Sequence, residues 1–273
     1  MQMISHTAPE LATQDLITIQ ALMYRLAGIR IADGKRQLVQ HRLARRLRER
    51  RLNSYHDYCL LLGRSDEEAE RQSFLNALTT NETYFFRHKQ HWDFIAEHLI
   101  PRWKGANHRP RIWSAACSTG EEAYSMAILL RELYPSSAAL IEATDINDLV
   151  LRSAREGSYG TYSMQKVTMR CRERYFQATT NERWLLLSAV RQMVNFRQAN
   201  LLQASSGSVF DLVLCRNVLI YFDDASKDRS LRLLSQRMSA SSYLIIGGAE
   251  SLGSLHAYFD FQAPGIYRKA NHG

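Results

Sequence analysis

From Arg111 to Tyr124 the chain reads Arg-Ile-Trp-Ser-Ala-Ala-Cys-Ser-Thr-Gly-Glu-Glu-Ala-Tyr, a short apolar strand running through small residues into a helix. Ala115, Ala116, Ser118 and Gly120 let a bound molecule approach the backbone, and the first helical turn offers amides without a partner inside the helix. Together these are the features of a ligand-binding hinge. Twenty-five residues after Gly120, the run Ile141-Glu-Ala-Thr ends in Asp145, where Rossmann-type sheets place the acid that accepts ribose hydroxyls. The implied ligand is a nucleoside. Gly120 is the only glycine of the turn, so the repeated close approach that a pyrophosphate demands is missing. A nucleoside without phosphates, such as S-adenosylmethionine, fits these residues better. The plainer alternative is an α/β domain with a tight turn, in which Asp145 caps the helix that begins near Asp148.

Three further segments hold polar residues that packing alone does not call for: Thr80-Asn-Glu-Thr-Tyr-Phe-Phe-Arg87, Asn200-Leu-Leu202 and Cys215-Arg-Asn-Val-Leu-Ile-Tyr-Phe-Asp223. Glu121 and Glu122 stand at the mouth of the hinge helix, where one can take an ammonium group while the other favours the helix N-terminus; the sequence does not say which. Arg216 and Asn217 follow an apolar strand, at the edge where open α/β sheets bind ligands. Arg87 and Tyr221 are suited to hold a carboxylate by charge-assisted and phenolic hydrogen bonds; the plainer alternatives are a surface ion-pair partner for Arg87 and a core residue for Tyr221, which sits in an apolar run. His88, His91 and His98 share one stretch, but their spacing and the lack of a further ligand pattern argue against a metal. No GxSxG and no phosphate-binding loop occurs.

These segments, in order, carry a resemblance. T-N-x-T-x-F-F-R, W-S-A-A-x-S-T-G-E-E-x-Y-S, A-T-D-I, N-L and F-D-x-x-x-C-R-N-V-x-I-Y-F are similar to the motifs of the CheR family of chemotaxis receptor methyltransferases, and the match spans essentially the whole chain. The resemblance implies a Rossmann-like, S-adenosylmethionine-dependent α/β fold with an N-terminal all-α domain and a small antiparallel β insertion. It implies conversion of receptor glutamates to methyl esters, with S-adenosylhomocysteine as the second product. Residue by residue, it implies that Asp145 anchors the adenosine, Asn200 and Leu201 contact the adenine, and Asn81, Thr83 and Arg87 close over the cofactor; Glu121, Glu122, Arg216 and Asn217 complete the cofactor set. The small subdomain grips a receptor's carboxyl-terminal peptide in some members, which share a glycine-containing loop there. The stretch Gln177-Ala-Thr-Thr-Asn-Glu-Arg-Trp184 has no glycine, so a pentapeptide tether is not expected to be needed.

The elements that must position these residues follow from periodicity. From Asp15 to Leu78 apolar residues recur at helical spacing (Ile19, Leu22, Met23, Leu26; Val39, Leu43, Leu47; Tyr55, Tyr58, Leu61, Leu62; Phe74, Leu78), with no strand alternation. One helix, Lys35–Arg51, holds eight basic residues against Glu49 alone. Arg42, Arg45, Arg46 and Arg48 are expected to dock on acidic receptor helices, with a solvated face as the alternative. Beyond Pro101, strand and helix alternate as a parallel sheet requires. Strands are expected at 111–115, 140–144, 209–214, 243–247 and 266–269, and helices at 121–134, 148–156 and 225–238. The expected organisation is a helical domain over 1–85, a cofactor domain over 86–273 and, inserted at 157–200, a β-subdomain built from the runs 184–188 and 193–198.

A length of 273 residues and 45% hydrophobic content suit one large and one small globular domain. Cys59, Cys117, Cys171 and Cys215 form no CxxC pair and read as buried thiols. The first ten residues lack a signal pattern and no apolar run reaches membrane-span length, so a cytoplasmic enzyme recruited to receptor arrays at the inner membrane, without membrane insertion, is expected. The net charge of +8 favours an anionic partner. A nucleic-acid methyltransferase is one alternative, but the Asp/Asn-Pro-Pro-aromatic and Pro-Cys motifs such enzymes use are absent, and no nucleic-acid partner is expected. A cofactor-sensing adaptor without turnover is another; retention of Arg87 and Tyr221 argues against it.

Overall fold

The helical spacing of the first eighty residues builds four helices: α1 (Thr13–Ala27), α2 (Arg36–Arg50), α3 (Tyr55–Leu62) and α4 (Glu68–Leu78). In the computed structural model, residues 9–180, 182–203, 207–253 and 256–270 are described. Met1–Thr80 and Asn81–Gly273 form two compact units. In the first unit Ile19, Met23, Val39, Leu43, Leu47, Tyr58 and Phe74 make the core. Helix α1 ends at Gly28, whose left-handed φ of 68° lets its N–H return to the Tyr24 carbonyl at 2.7 Å. Ser54 caps α3 by accepting from the Asp57 N–H.

Inside this core sits a carboxylate. Glu70 of α4 is 2% exposed and accepts from Arg46 (Nε to Oε1, 2.9 Å; Nη2 to Oε2, 2.5 Å) and from the Tyr58 hydroxyl (2.8 Å). Arg42 donates to the carbonyls of Leu78 and Thr79 at the end of α4. Two of the four arginines expected to face a receptor therefore spend their guanidinium groups on the unit's own packing. Arg45 and Arg48 are exposed, and Arg45 pairs along the helix with Glu49.

The second unit opens with α5 (Lys89–Phe94), a π-helical turn (Ile95–Leu99) and α6 (Ile100–Gly105). The main sheet follows: β1 (Arg111–Ala115), β2 (Leu140–Asp145), then β6 (Val194–Gln198), β7 (Phe210–Cys215), β8 (Met238–Ile246), β9 (Phe259–Ala263) and β10 (Ile266–Lys269). Their spatial order is β6-β2-β1-β7-β8-β10-β9. The first five run parallel, and β10 pairs antiparallel with both β8 and β9. The order reverses at β1, with β2 on one side and β7 on the other, which opens a crevice beyond the carboxyl ends of these strands. Helices α7 (Glu121–Leu133), α8 (Asp148–Glu156) and α12 (Asp224–Gln236) follow β1, β2 and β7.

Within the insertion the structure departs from the expectation. Among the described residues β3 (Ser158–Tyr159), β4 (Phe176–Ala178) and β5 (Trp184–Leu186) form the small antiparallel sheet, in the order β3-β5-β4, with α9 (Thr161–Met164) and α10 (Met169–Tyr175) between β3 and β4. The run 193–198 is β6, an edge strand of the main sheet reached through α11 (Ser188–Arg191) and paired parallel with β2. Its buried positions, Val194 and Phe196, alternate with exposed ones as on any strand with one covered face, so its pattern could not reveal which sheet it joined. Of the loop over 178–184, Asn181 lies outside the described residues. Glu182 holds a φ of 53°, a left-handed conformation reached here without glycine. The loop is closed by the Thr179 N–H donating to the Arg183 carbonyl at 2.8 Å.

Candidate cofactor and methyl-transfer site

After β1 the backbone enters left-handed φ at Ala116 (64°), Ser118 (50°) and Gly120 (92°). Two neighbouring segments share this strain: Phe86 (56°) and His88 (59°), and Asn217 (60°) after β7. Non-glycine residues held there cost about 1–3 kcal/mol each and persist only where their surroundings over-determine them, most often at functional sites. Gly120 is required twice over. Its φ excludes most side chains, and an added Cβ would lie 3.0 Å from Ala154 Cβ and 3.1 Å from the Phe196 ring.

Asp145, 7% exposed at the end of β2, locks this turn. Its Oδ2 accepts from the Ser118 N–H at 2.8 Å and its Oδ1 from the Asn147 N–H at 2.9 Å. The carboxylate therefore fixes the hinge while retaining lone-pair capacity for a ligand. Burial pushes its carboxyl above the ordinary carboxylate range, and the backbone N–H bonds oppose that shift. Asn147, rather than Asp145, caps α8, accepting from Leu149 and Val150 N–H. The Ala199 N–H donates to the Asp145 carbonyl at 3.0 Å, which brings the Asn200-Leu201 turn beside Asp145. Asn200 Oδ1 accepts from the Leu202 N–H and shapes that turn.

The two glutamates of α7 separate clearly. Glu121, 2% exposed, accepts from the Thr119 and Ser163 hydroxyls at 2.6 and 2.8 Å, and burial raises its carboxyl. None of those neighbours is a cation. Glu122 accepts from the Ser114 hydroxyl at 2.6 Å and pairs with Arg216 at 3.2 Å. Burial raises the Glu122 carboxyl and lowers the Arg216 guanidinium, each partly offset by the other's charge. Arg216, 6% exposed, also donates to the Arg87 carbonyl and lies over the Trp92 ring, 5.5 Å from its centre. The Trp92 Nε1–H donates to the same carbonyl at 3.0 Å.

The segment 81–88 is thus a strap across the carboxyl edge. The Asn81 carbonyl accepts from the Ser118 hydroxyl, Phe85 N–H donates to the Ser163 carbonyl, and Phe86 N–H donates to the Ser125 hydroxyl. Thr83 and Arg87 are half-buried on it, and the Arg87 guanidinium donates to the Glu82 carbonyl. Across the crevice, Glu250 holds the turn after β7: its carboxylate accepts from the N–H groups of Asn217 (2.7 Å), Gly247 (2.5 Å) and Ile220 (3.2 Å). Tyr221 ends the 3₁₀ turn of that segment, half-buried rather than in the core. The structure thus brings Arg87, Glu122 and Arg216 into one bonded chain, and Asn81, through Ser118, to Asp145 beside the Asn200-Leu201 turn.

Glu250, Ser163, Asn147 and Trp92 were not legible as site residues. Glu250 had one signal, an acid shortly after the Gly247-Gly248 pair at a strand end; Ser163 lies in the insertion, where spacing gave no register. Cys117 and Cys215 are buried, whereas Cys59 and Cys171 are half-buried, and burial raises all four thiols. Among the described residues no group of three or more His, Cys, Asp or Glu gathers as metal ligands, and no helix is long and apolar enough to cross a membrane.

Residues 81–265 match the family model described as the CheR methyltransferase SAM-binding domain, and residues 14–79 match that of its all-alpha domain. Chemotaxis protein methyltransferase 2 of Pseudomonas aeruginosa is 40% identical over 87% of this chain and 86% of its own length. The chemotaxis protein methyltransferases of Salmonella typhimurium and Escherichia coli are 36% and 35% identical, over 90% and 91% of this chain and 86% and 88% of theirs. A hinge locked by a buried acid, a cationless buried glutamate and both family domains in order converge: this chain belongs to the CheR methyltransferase family.

Proposed function

We propose that this enzyme transfers the methyl group of S-adenosylmethionine to glutamate side chains of chemotaxis receptors, forming methyl esters. The observation that carries this reading is the match of both family domains, joined to a crevice whose residues suit a cationic nucleoside. Asp145 takes the ribose hydroxyls. Glu121, buried without a cation, takes the methionine ammonium, and Glu122 serves Arg216 instead. Asn200 and Leu201 border the adenine; Asn81, Thr83 and Asn217 complete the cofactor's surroundings.

Methyl transfer from a sulfonium to a carboxylate is an in-line displacement, and the glutamate is already ionised near neutral pH. No general base is needed. The residues must align the two reactants and exclude water, effects worth up to about 7–11 kcal/mol when positioning is good. Arg87 holds the incoming carboxylate by a charge-assisted bond and Tyr221 by its hydroxyl. Receptors dock through exposed Arg45 and Arg48 of α2, without need of a carboxyl-terminal pentapeptide tether, and the enzyme works in the cytoplasm at receptor arrays. Neither nucleic acid nor membrane insertion enters this reading. Incubation with radiolabelled S-adenosylmethionine and receptor-enriched membranes should yield a base-labile methyl ester on a receptor-sized band; label stable to base, or on nucleic acid alone, would refute it.

A further inference from the structure

Behind the strap lies a second concavity, a groove of about 610 Å³ between α5, α7 and the start of α10. That volume is within the range of small-molecule sites. Its floor is apolar, formed by Phe86, Trp92, Ile128 and Leu129. Of the charges at its rim, Asp93 is bonded by Lys89 through both oxygens at 2.7 Å, and Glu132 by Arg174 through both at 3.0 Å. The acids are thereby neutralised. Lys166 and Arg170 on the opposite rim are exposed, and neither has an acid within ion-pair distance among the described residues. The groove therefore offers an aromatic and aliphatic bed ending in two uncompensated cations.

We propose that this groove is a second ligand site, built for a small amphiphilic anion: an acyl or aryl carboxylate whose apolar body lies on Phe86, Trp92, Ile128 and Leu129 and whose charged end meets Lys166 and Arg170. It is separate from the cofactor crevice, since Asp145, Glu121 and Asn200 do not line it. It is nevertheless wired to the reaction. Phe86 and Trp92 meet edge to face with ring centres 5.8 Å apart, and Arg87 lies between them in sequence with its carbonyl held by the Trp92 indole. A ligand that shifts either ring moves the backbone carrying the Arg87 guanidinium. This coupling to turnover rests on the role proposed for Arg87; the binding does not.

The test uses the full chain saturated with S-adenosylhomocysteine, titrated calorimetrically with decanoate in one arm and 2-naphthoate in the other. At least one should bind saturably below about 1 mM. Leu129→Glu, and separately Lys166→Glu with Arg170→Glu, should weaken it by about tenfold or more, with S-adenosylhomocysteine affinity unchanged as the check on folding. Receptor methylation should change as the site fills and stay flat in Leu129→Glu. Absence of saturable binding in both arms, or binding that ignores both variants, would overturn the site, as would displacement of the probe by an acidic receptor-helix peptide. Normal binding with an unmoved methylation rate would overturn the coupling to Arg87.

Discussion

At the scale of single residues, the acids of the crevice divide by what already satisfies them. Glu122 has Arg216; Glu121 has only hydroxyls, and burial holds its carboxyl above the ordinary 4.5. A cationic ligand beside Glu121 favours the ionised form and lowers that value, so near the raised value binding must release a proton, and affinity must rise with pH until Glu121 is ionised in the free enzyme. Without ligand the sign is opposite: the native state holds its proton longer than the unfolded chain, so Glu121's contribution to stability is full below about 4.5 and is lost as pH rises through the raised value. Calorimetry of S-adenosylhomocysteine binding in buffers of different ionisation enthalpy should detect the released proton, and Glu121→Gln should abolish it while weakening binding. The same release from Glu121→Gln would move the assignment to another group. Asp145→Ala should cost about 1–3 kcal/mol of S-adenosylhomocysteine affinity through the ribose hydroxyls it leaves unpaired, and it should lower the melting temperature as well, since Ser118 and Asn147 lose their acceptor. Undiminished affinity would refute the ribose role.

At the scale of elements, what matters is how each loop is held. Glu250 gathers three N–H donors from the ends of β7 and β8. Glu250→Ala should therefore destabilise the protein by about 1–3 kcal/mol, the cost of leaving the buried Gly247 donor unpaired, with a smaller share from the partly exposed Asn217 and Ile220 donors; a melting temperature within error of the wild type would show that water or a neighbour replaces the carboxylate. In the helical unit, Glu70→Ala leaves Arg46 with Glu49 alone and the buried Tyr58 hydroxyl without its acceptor, and should cost about 1–3 kcal/mol by denaturant titration. This element-level knowledge was only half legible beforehand. Periodicity placed helices and parallel strands because both rest on burial of one face, and Gly120 with its small neighbours marked the hinge, though not the left-handed backbone at Ala116 and Ser118. The sheet membership of β6, the additional strand β9 and the grip of Glu250 depend on pairings between distant segments, which no local pattern encodes. The internal partners of Arg42 and Arg46 stay hidden for the same reason: a basic helix face gives no sign of carbonyls 36 and 37 residues away or of a carboxylate 24 residues away.

For the whole molecule, the net charge of +8 sets the terms on which an acidic receptor is met. A long-range attraction of this kind accelerates encounter and fades as salt rises, because charges farther apart than about 8–10 Å are screened at physiological ionic strength. Reversing Arg42, Arg45, Arg46 and Arg48 together would confound that test, since Arg42 and Arg46 support the fold. The cleaner variant is Arg45→Glu with Arg48→Glu: receptor methylation should fall at low salt and lose most of its salt dependence, with cofactor affinity and melting temperature unmoved. Wild-type methylation at every salt concentration would make α2 a solvated face. If α2 supplies the encounter, a peptide tether is redundant. The lack of glycine in the loop over 178–184 is a weaker argument for that redundancy than it was from sequence, because Glu182 reaches a left-handed φ of 53° unaided. The prediction stands on α2 instead: a receptor-tail pentapeptide should show no saturable binding in the micromolar range, and receptors lacking their last five residues should be methylated at the rate of intact ones. Micromolar binding together with loss of methylation on truncation would transfer recruitment from the helical unit to the small β-sheet.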